Sequence, residues 1–152
     1  MTAELLLQLV IATAMVAVTV VIHLVGLGVL LALMRLHTAR FMTRKAVVNQ
    51  VLILFGVALG LFAVHTIEIW TYAVLYGALG AVKDFEDALY FSTSTYATIG
   101  YGDLVLPKAW RILGAIEGAN GVILLGWSTA FFVSVVNRIR MLEHDWLVKE
   151  PH

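Results

Sequence analysis

Formal charge is missing from three long stretches of this chain. Residues 5–34 carry His23 as their one titratable group, and residues 46–67 and 118–137 contain no Asp, Glu, Lys or Arg. These runs are 30, 22 and 20 residues long. A helix rises about 1.5 Å per residue, so about 20 residues cross a ~30 Å hydrocarbon core. The pattern predicts three membrane-spanning helices, over 5–34, 46–76 and 109–141. Each is apolar all round rather than along one stripe, which suits a helix with lipid on one side and other helices on the rest.

Composition agrees. Of 152 residues, 61% are hydrophobic and 13% charged, against about 45–50% and roughly 25% in soluble domains. Three buried helices of a soluble bundle would need far more polar surface to coat them. The opening residues, Met-Thr-Ala-Glu, lack a basic n-region, and the run after them is about twice a signal-peptide core, so the first helix is expected to be retained. Ten basic residues balance ten acidic ones, and no Lys/Arg-dense segment with interleaved aromatics is present, so nucleic acid is not an expected partner. The absence of cysteine excludes disulfides and thiolate metal sites. No nucleophile–base constellation or phosphate loop appears, and the chain is not expected to be an enzyme.

Basic residues set an expected orientation. Arg35, Arg40, Arg44 and Lys45 lie between the first two helices, and Arg138, Arg140 and Lys149 lie at or beyond the end of the third; Lys83, Lys108 and Arg111 lie at the other end. The positive-inside rule then places the N-terminus outside and the C-terminus in the cytoplasm of a cell (plasma or inner) membrane.

Between the second and third helices lies a segment that is neither hydrophilic nor long enough to span. Asp84 is placed to N-cap a short helix over 85–97, with Glu86 and Asp87 in a first turn where the helix dipole favours them. Too apolar for water, this helix is expected to dip into the bilayer and return. Non-helical backbone at that depth is tolerated only inside protein or along an aqueous path. The chain then continues as Thr98-Ile99-Gly100-Tyr101-Gly102-Asp103. A segment whose carbonyls all point one way must alternate ordinary and left-handed backbone, and glycine takes positive φ without steric cost. Around a fourfold axis, the carbonyls of Thr98, Ile99, Gly100 and Tyr101 and the Thr98 hydroxyl would stack as rings of oxygens able to replace the water shell of K+. The Tyr101 side chain would point away and brace the backbone against Tyr90 or Phe91.

This sequence, set between a half-length helix and a spanning one, resembles the potassium-channel pore domain, with Ile99 where the family filter Thr-Val-Gly-Tyr-Gly has valine. The resemblance covers residues 46–141: outer helix 46–76, pore helix 85–97, filter 98–103, inner helix 109–141. Residues 1–45 would add a transmembrane helix and a basic loop, and 142–152 a short tail with Trp146 at the interface. It implies an all-α membrane protein with three transmembrane helices, a re-entrant pore helix and a filter loop, assembled as a homotetramer in a lipid bilayer. It implies K+ as the permeant ion, bound at Thr98, Ile99, Gly100, Tyr101 and Gly102, with no cofactor. Asp103 would bond to the pore helix, with Tyr90 as a partner. Ser94 stands where some members carry an acid, so that pairing is absent. Gly121 matches the family's gating hinge, although Gly114, Gly118, Gly121 and Gly126 also suit close helix packing, Gly114 and Gly118 as a GxxxG pair. Val122, Leu125, Thr129 and Val133 would line the cavity. No helix carries arginine at every third position, and the residues after the inner helix leave no room for a ligand-sensing domain, so neither sensor is expected. The other reading is a nonconducting or weakly selective subunit that regulates partner proteins.

Two acids fall inside predicted spans. Membrane-embedded carboxylates cost about 2.5–3.5 kcal/mol or more and need partners. Glu68 and Glu117 are expected behind the filter, bonded to hydroxyls of Ser92–Thr95 (Ser94 and Thr95 among them) or to each other, as bracing or as a proton-sensitive gate, with direct contact to the ion as the remaining alternative. His65 and Glu68 have a metal-pair spacing, but two ligands do not make a site. His23 is expected to be a neutral, packed residue on a peripheral helix.

Overall fold

A computed structural model of the chain describes residues 3–40 and 46–148, with side chains described over 3–36 and 48–139. Helix α1 runs Ala3–Arg40, α2 Ala46–Ala78, α3 Phe85–Tyr96 and α4 Arg111–Val148, the last entered through a 3-10 turn at Lys108–Trp110. Three segments, Ala3–Leu36, Val48–Ala78 and Lys108–Ile139, are long and apolar enough to cross a membrane. The chain is an all-α integral membrane protein. Helix α4 continues to Val148, past the boundary expected at 141, because nothing in the sequence there breaks a helix. The loop residues Arg44 and Lys45 and the end of the tail lie outside the described residues, as do the side chains of Arg40 and Trp146.

The helices run up, down and up. One cluster joins Ala12 and Met15 of α1 to Tyr72 and Tyr76 of α2 and Leu113 of α4. A second joins Leu30 of α1 to Val57 and Leu61 of α2 and Val135 of α4. The start of α1, the end of α2 and the start of α4 therefore share one end of the molecule with the α3–loop segment. Helix α1 and α2 meet where each lacks a side chain: a Cβ on Gly26 would overlap Val64, and one on Gly60 would overlap Leu30.

Helix α3 lies between α2 and α4. Asp84 occupies its N-cap position in extended conformation, but the side chain makes no capping bond, and Glu86 and Asp87 carry the first-turn charge. Its last residue meets α2 at Glu68, ten residues before the α2 terminus. At 1.5 Å per residue this is about 15 Å down the helix, roughly half of a hydrocarbon core. Three glycines of α4 face it. A Cβ on Gly114 would sit 3.1 Å from the Phe91 ring, one on Gly118 would sit 3.4 Å from the Thr95 carbonyl, and one on Gly121 would overlap the Tyr96 carbonyl itself. Helix α4 is continuous through Gly121, and this position demands close approach of two backbones.

That contact gives a stability prediction. Gly121→Ala forces backbone apart rather than a flexible side chain, so the cost should reach or exceed the upper end of the ~1–3 kcal/mol typical of overpacking. Gly28→Ala, where a Cβ meets nothing within 4 Å, should be neutral or stabilising. Thermal unfolding of the two purified variants in detergent should separate them clearly; equal midpoints would remove the close-contact argument.

Candidate pore and filter

The loop after α3 is built by folding its amides back onto three of the last four carbonyls of the helix. The last carbonyls of a helix have no partners within it. Here Thr93 O accepts from the Ala97 amide, Thr95 O from Thr98, and Ser94 O from both Ile99 (2.8 Å) and Gly100 (3.1 Å). Amides 97–100 thus turn back onto α3. From there φ is positive at every second residue: Thr98 at 60°, Gly100 at 56° and Gly102 at 80°. Alternation between mirror-related backbone wells turns successive carbonyls towards one side. Glycine supplies two of the three positive values at no steric cost. Thr98 is the non-glycine exception, in a conformation costing about 1–3 kcal/mol that persists only where the surroundings enforce it. Residue type alone does not reveal this third position, because threonine ordinarily avoids it.

Around this segment, Ile99 and Tyr101 are exposed on the single chain, Tyr101 to 71%. On the single chain the Tyr101 ring is therefore not enclosed by Tyr90 or Phe91. Phe91 meets Tyr76 edge-on instead, at 5.4 Å, and Tyr90 Oη donates to Asp103 Oδ2 at 2.8 Å. This bond is the main reason the Asp103 carboxyl is held below the usual carboxylate range, and it also raises the Tyr90 phenol. Asp103 Oδ1 accepts the Leu104 amide. On α4, Val122, Thr129 and Val133 are exposed and Leu125 is half-buried. Thr129 Oγ1 returns its proton to the Leu125 carbonyl.

Behind the Thr98–Asp103 segment the two buried acids are both fully enclosed, and they divide the work. Glu117 accepts from Tyr76 Oη and from Ser92 Oγ, each at 2.5 Å, while Ser92 Oγ also lies 2.9 Å from the Ile69 carbonyl. Glu117 therefore ties α4 to α2 and to the middle of α3. Glu68 does not reach the Ser92–Thr95 hydroxyls or Glu117. His23 Nδ1–H donates to its Oε1 at 3.0 Å, and Tyr96 Oη donates to its Oε2 at 2.5 Å. His65 Nδ1 lies 2.9 Å from the same Oε2 and 3.0 Å from Tyr96 Oη, and His65 Nε2 lies 2.8 Å from Ser128 Oγ. Among the described residues no Lys or Arg pairs with either acid.

This corrects the expectation for α1. His23 is not a merely packed residue; it is a buried partner of Glu68 from a different helix. Asn120 Nδ2 donates to Thr19 Oγ1 at 2.8 Å, giving α1 a second polar anchor, on α4. Tyr76, Tyr96, Ser128 and Thr19 were not singled out from the sequence. A tyrosine or serine in an apolar run is ordinary, and only the packing shows which hydroxyl faces which acid.

Comparison with known proteins agrees with the architecture. Over 91 residues, 60% of this chain, the sequence is 34% identical to the hyperpolarization-activated voltage-gated potassium channel of Methanocaldococcus jannaschii. The match spans 38% of that relative's length. No solved structure matches. The profile of the ion channel family matches residues 60–138, just over half of the chain and inclusive of α3, the filter segment and most of α4. By that match, and by the half-length helix and loop it encloses, this chain belongs to the ion channel family.

Proposed function

We propose that four copies of this chain surround one axis and conduct K+ selectively through the Thr98–Gly102 segment. The observation that carries this reading is the run of positive φ at Thr98, Gly100 and Gly102, at the end of a helix whose Thr93, Ser94 and Thr95 carbonyls are already satisfied. Freed from local bonding, the carbonyls of Thr98, Ile99, Gly100 and Tyr101 become ligands for a dehydrated cation, and rings of such dipoles distinguish K+ from Na+. One chain supplies one quarter of each ring. The exposure of Ile99, Tyr101, Val122, Thr129 and Val133 on the single chain supports neighbours and an aqueous cavity around this face. The potassium channel named among its relatives supports the same ion. The filter end, which carries the N-terminus of α1, faces outwards in this reading, with the Arg35–Lys45 region and the end of α4 in the cytoplasm.

Reconstituted in liposomes with opposed K+ and Na+ gradients, the protein should give a reversal potential near that of K+. A reversal near zero, or no flux, would sink the selective-channel reading; the second result would favour a nonconducting subunit. Cysteines substituted at Leu125 and Thr129 should react with alkylating agents and change the current, and silence at both removes the cavity assignment.

The Tyr90–Asp103 bond adds a pH dependence. A carboxyl whose pKa is lowered by folding contributes stability above its ordinary value and loses it as pH falls through the lowered one. Tyr90→Phe removes the main cause of the lowering, so acid should begin to suppress the current at higher pH than in the parent protein. Paired current–pH curves test this; an unmoved acid limb means the bond does not support the filter.

A further inference from the structure

The spacing of His65 and Glu68 offers two metal ligands, and the fold brings a third. His23 of α1, His65 and Glu68 each present a ligand atom, and all of these atoms lie within 4.8 Å of one another. Sequence separation hides the set, since His23 lies 45 residues from Glu68. We propose that His23, His65 and Glu68 form a binding site for a zinc-class divalent transition ion, seated between α1 and α2 at the inner end of α3.

The donor set is the first argument. Two imidazoles and one carboxylate suit Zn2+ and its neighbours rather than K+, Ca2+ or Mg2+, which take oxygen ligands. Bond lengths of about 2.0–2.1 Å at a tetrahedral angle put ligand atoms about 3.3 Å apart. The nitrogen–oxygen pairs here stand at 3.0 Å for His23–Glu68 and 2.9 Å for His65–Glu68. These two pairs use different oxygens of Glu68, and the three ligand atoms lie within 4.8 Å of one another, so an ion would draw the two imidazoles together onto the carboxylate. Tyr96 Oη, 3.0 Å from the same His65 nitrogen, borders the fourth position.

Charge and hydrogen bonding supply the second argument. Glu68 and His23 are 0% exposed and His65 is 12% exposed. A buried anion without a lysine or arginine partner is expensive, and a bound divalent cation offsets it. His65 also has the outer contact that orients a ligating histidine: with Nδ1 on the ion, Nε2–H donates to Ser128 Oγ across the existing 2.8 Å. Meanwhile His23 Nε2 is buried with no hydrogen-bond partner. With Nδ1 on the ion, His23 has no outer-shell partner at Nε2, so His65 is the more firmly oriented of the two imidazoles.

An ion here would fasten α1 to α2 and, through Tyr96, to the residue two before the filter. Coordination does not depend on conduction; only an effect of the ion on current rests on the channel reading, so the two are measured separately. The full-length protein, stripped with chelator in detergent, is titrated with Co2+ and with Zn2+. The expected result is one ion per chain, the intense visible bands of tetrahedral cobalt, and a thermal midpoint raised by Zn2+ but not by Mg2+. His23→Gln and Glu68→Gln should each abolish the bands. Ser128→Ala should weaken binding by about 10–100-fold, as loss of an outer-shell contact does. Thr19→Val breaks the other polar anchor of α1 while sparing the ligands, so it should keep the bands and show that their loss elsewhere is not failed helix docking. Substoichiometric binding, a six-coordinate cobalt spectrum, or binding that survives His23→Gln would overturn the site and leave a proton-bridged cluster in its place.

Discussion

A helix that ends halfway through a bilayer must have its terminal carbonyls satisfied by protein, because lipid offers no donors. The structure is organised around that constraint. Amides 97–100 fold back onto Thr93, Ser94 and Thr95, and in doing so they throw the following backbone into alternating wells. The same end is pressed against α4 so closely that Gly121 has no room for a Cβ beside the Tyr96 carbonyl. Local hydrogen bonding and tight packing thus fix one point, and the alternating backbone of residues 98–102 starts from it.

The remaining polar groups in the membrane hold that point in place from behind. Glu117 grips α3 at Ser92 and α2 at Tyr76; Glu68 grips Tyr96 and gathers His65 and His23. Each carboxylate would be costly alone, and each accepts from donors on more than one helix, so the cost of burial is offset while helices are registered against each other. The first helix joins this arrangement rather than standing outside it. Its apolar contacts with α2 are generic, set by Gly26 and Gly60, but His23 and Thr19 choose one rotation and one depth.

Cation coordination by backbone and cation coordination by side chains would then lie close together without sharing ligands. In the proposed reading, the Thr98–Tyr101 carbonyls would offer dipoles with no formal charge, suited to an ion that must leave. The His23–His65–Glu68 cluster would offer two imidazole nitrogens and a carboxyl group, suited to an ion that stays. Tyr96 is the link between them, its hydroxyl on Glu68 and its backbone at the foot of the filter.

The sequence by itself determined a good deal. Charge-free runs of the right length read directly as α1, α2 and α4, since the cost of charge in hydrocarbon leaves little choice. A short apolar segment with acids in its first turn read as α3, correct to one residue at its C-terminal end, and two alternate glycines marked positions of positive φ. These are local or one-dimensional signals. Tertiary structure decided everything that depends on which faces meet: the left-handed Thr98, the close-packing demand at Gly121, the partners of Glu68, and the recruitment of His23. A lone histidine in an apolar helix and an acid 45 residues later carry no mark of each other. Only the rotation of α1 against α2 brings their side chains together, and that rotation is set by packing summed over both helices rather than by any residue's own preference.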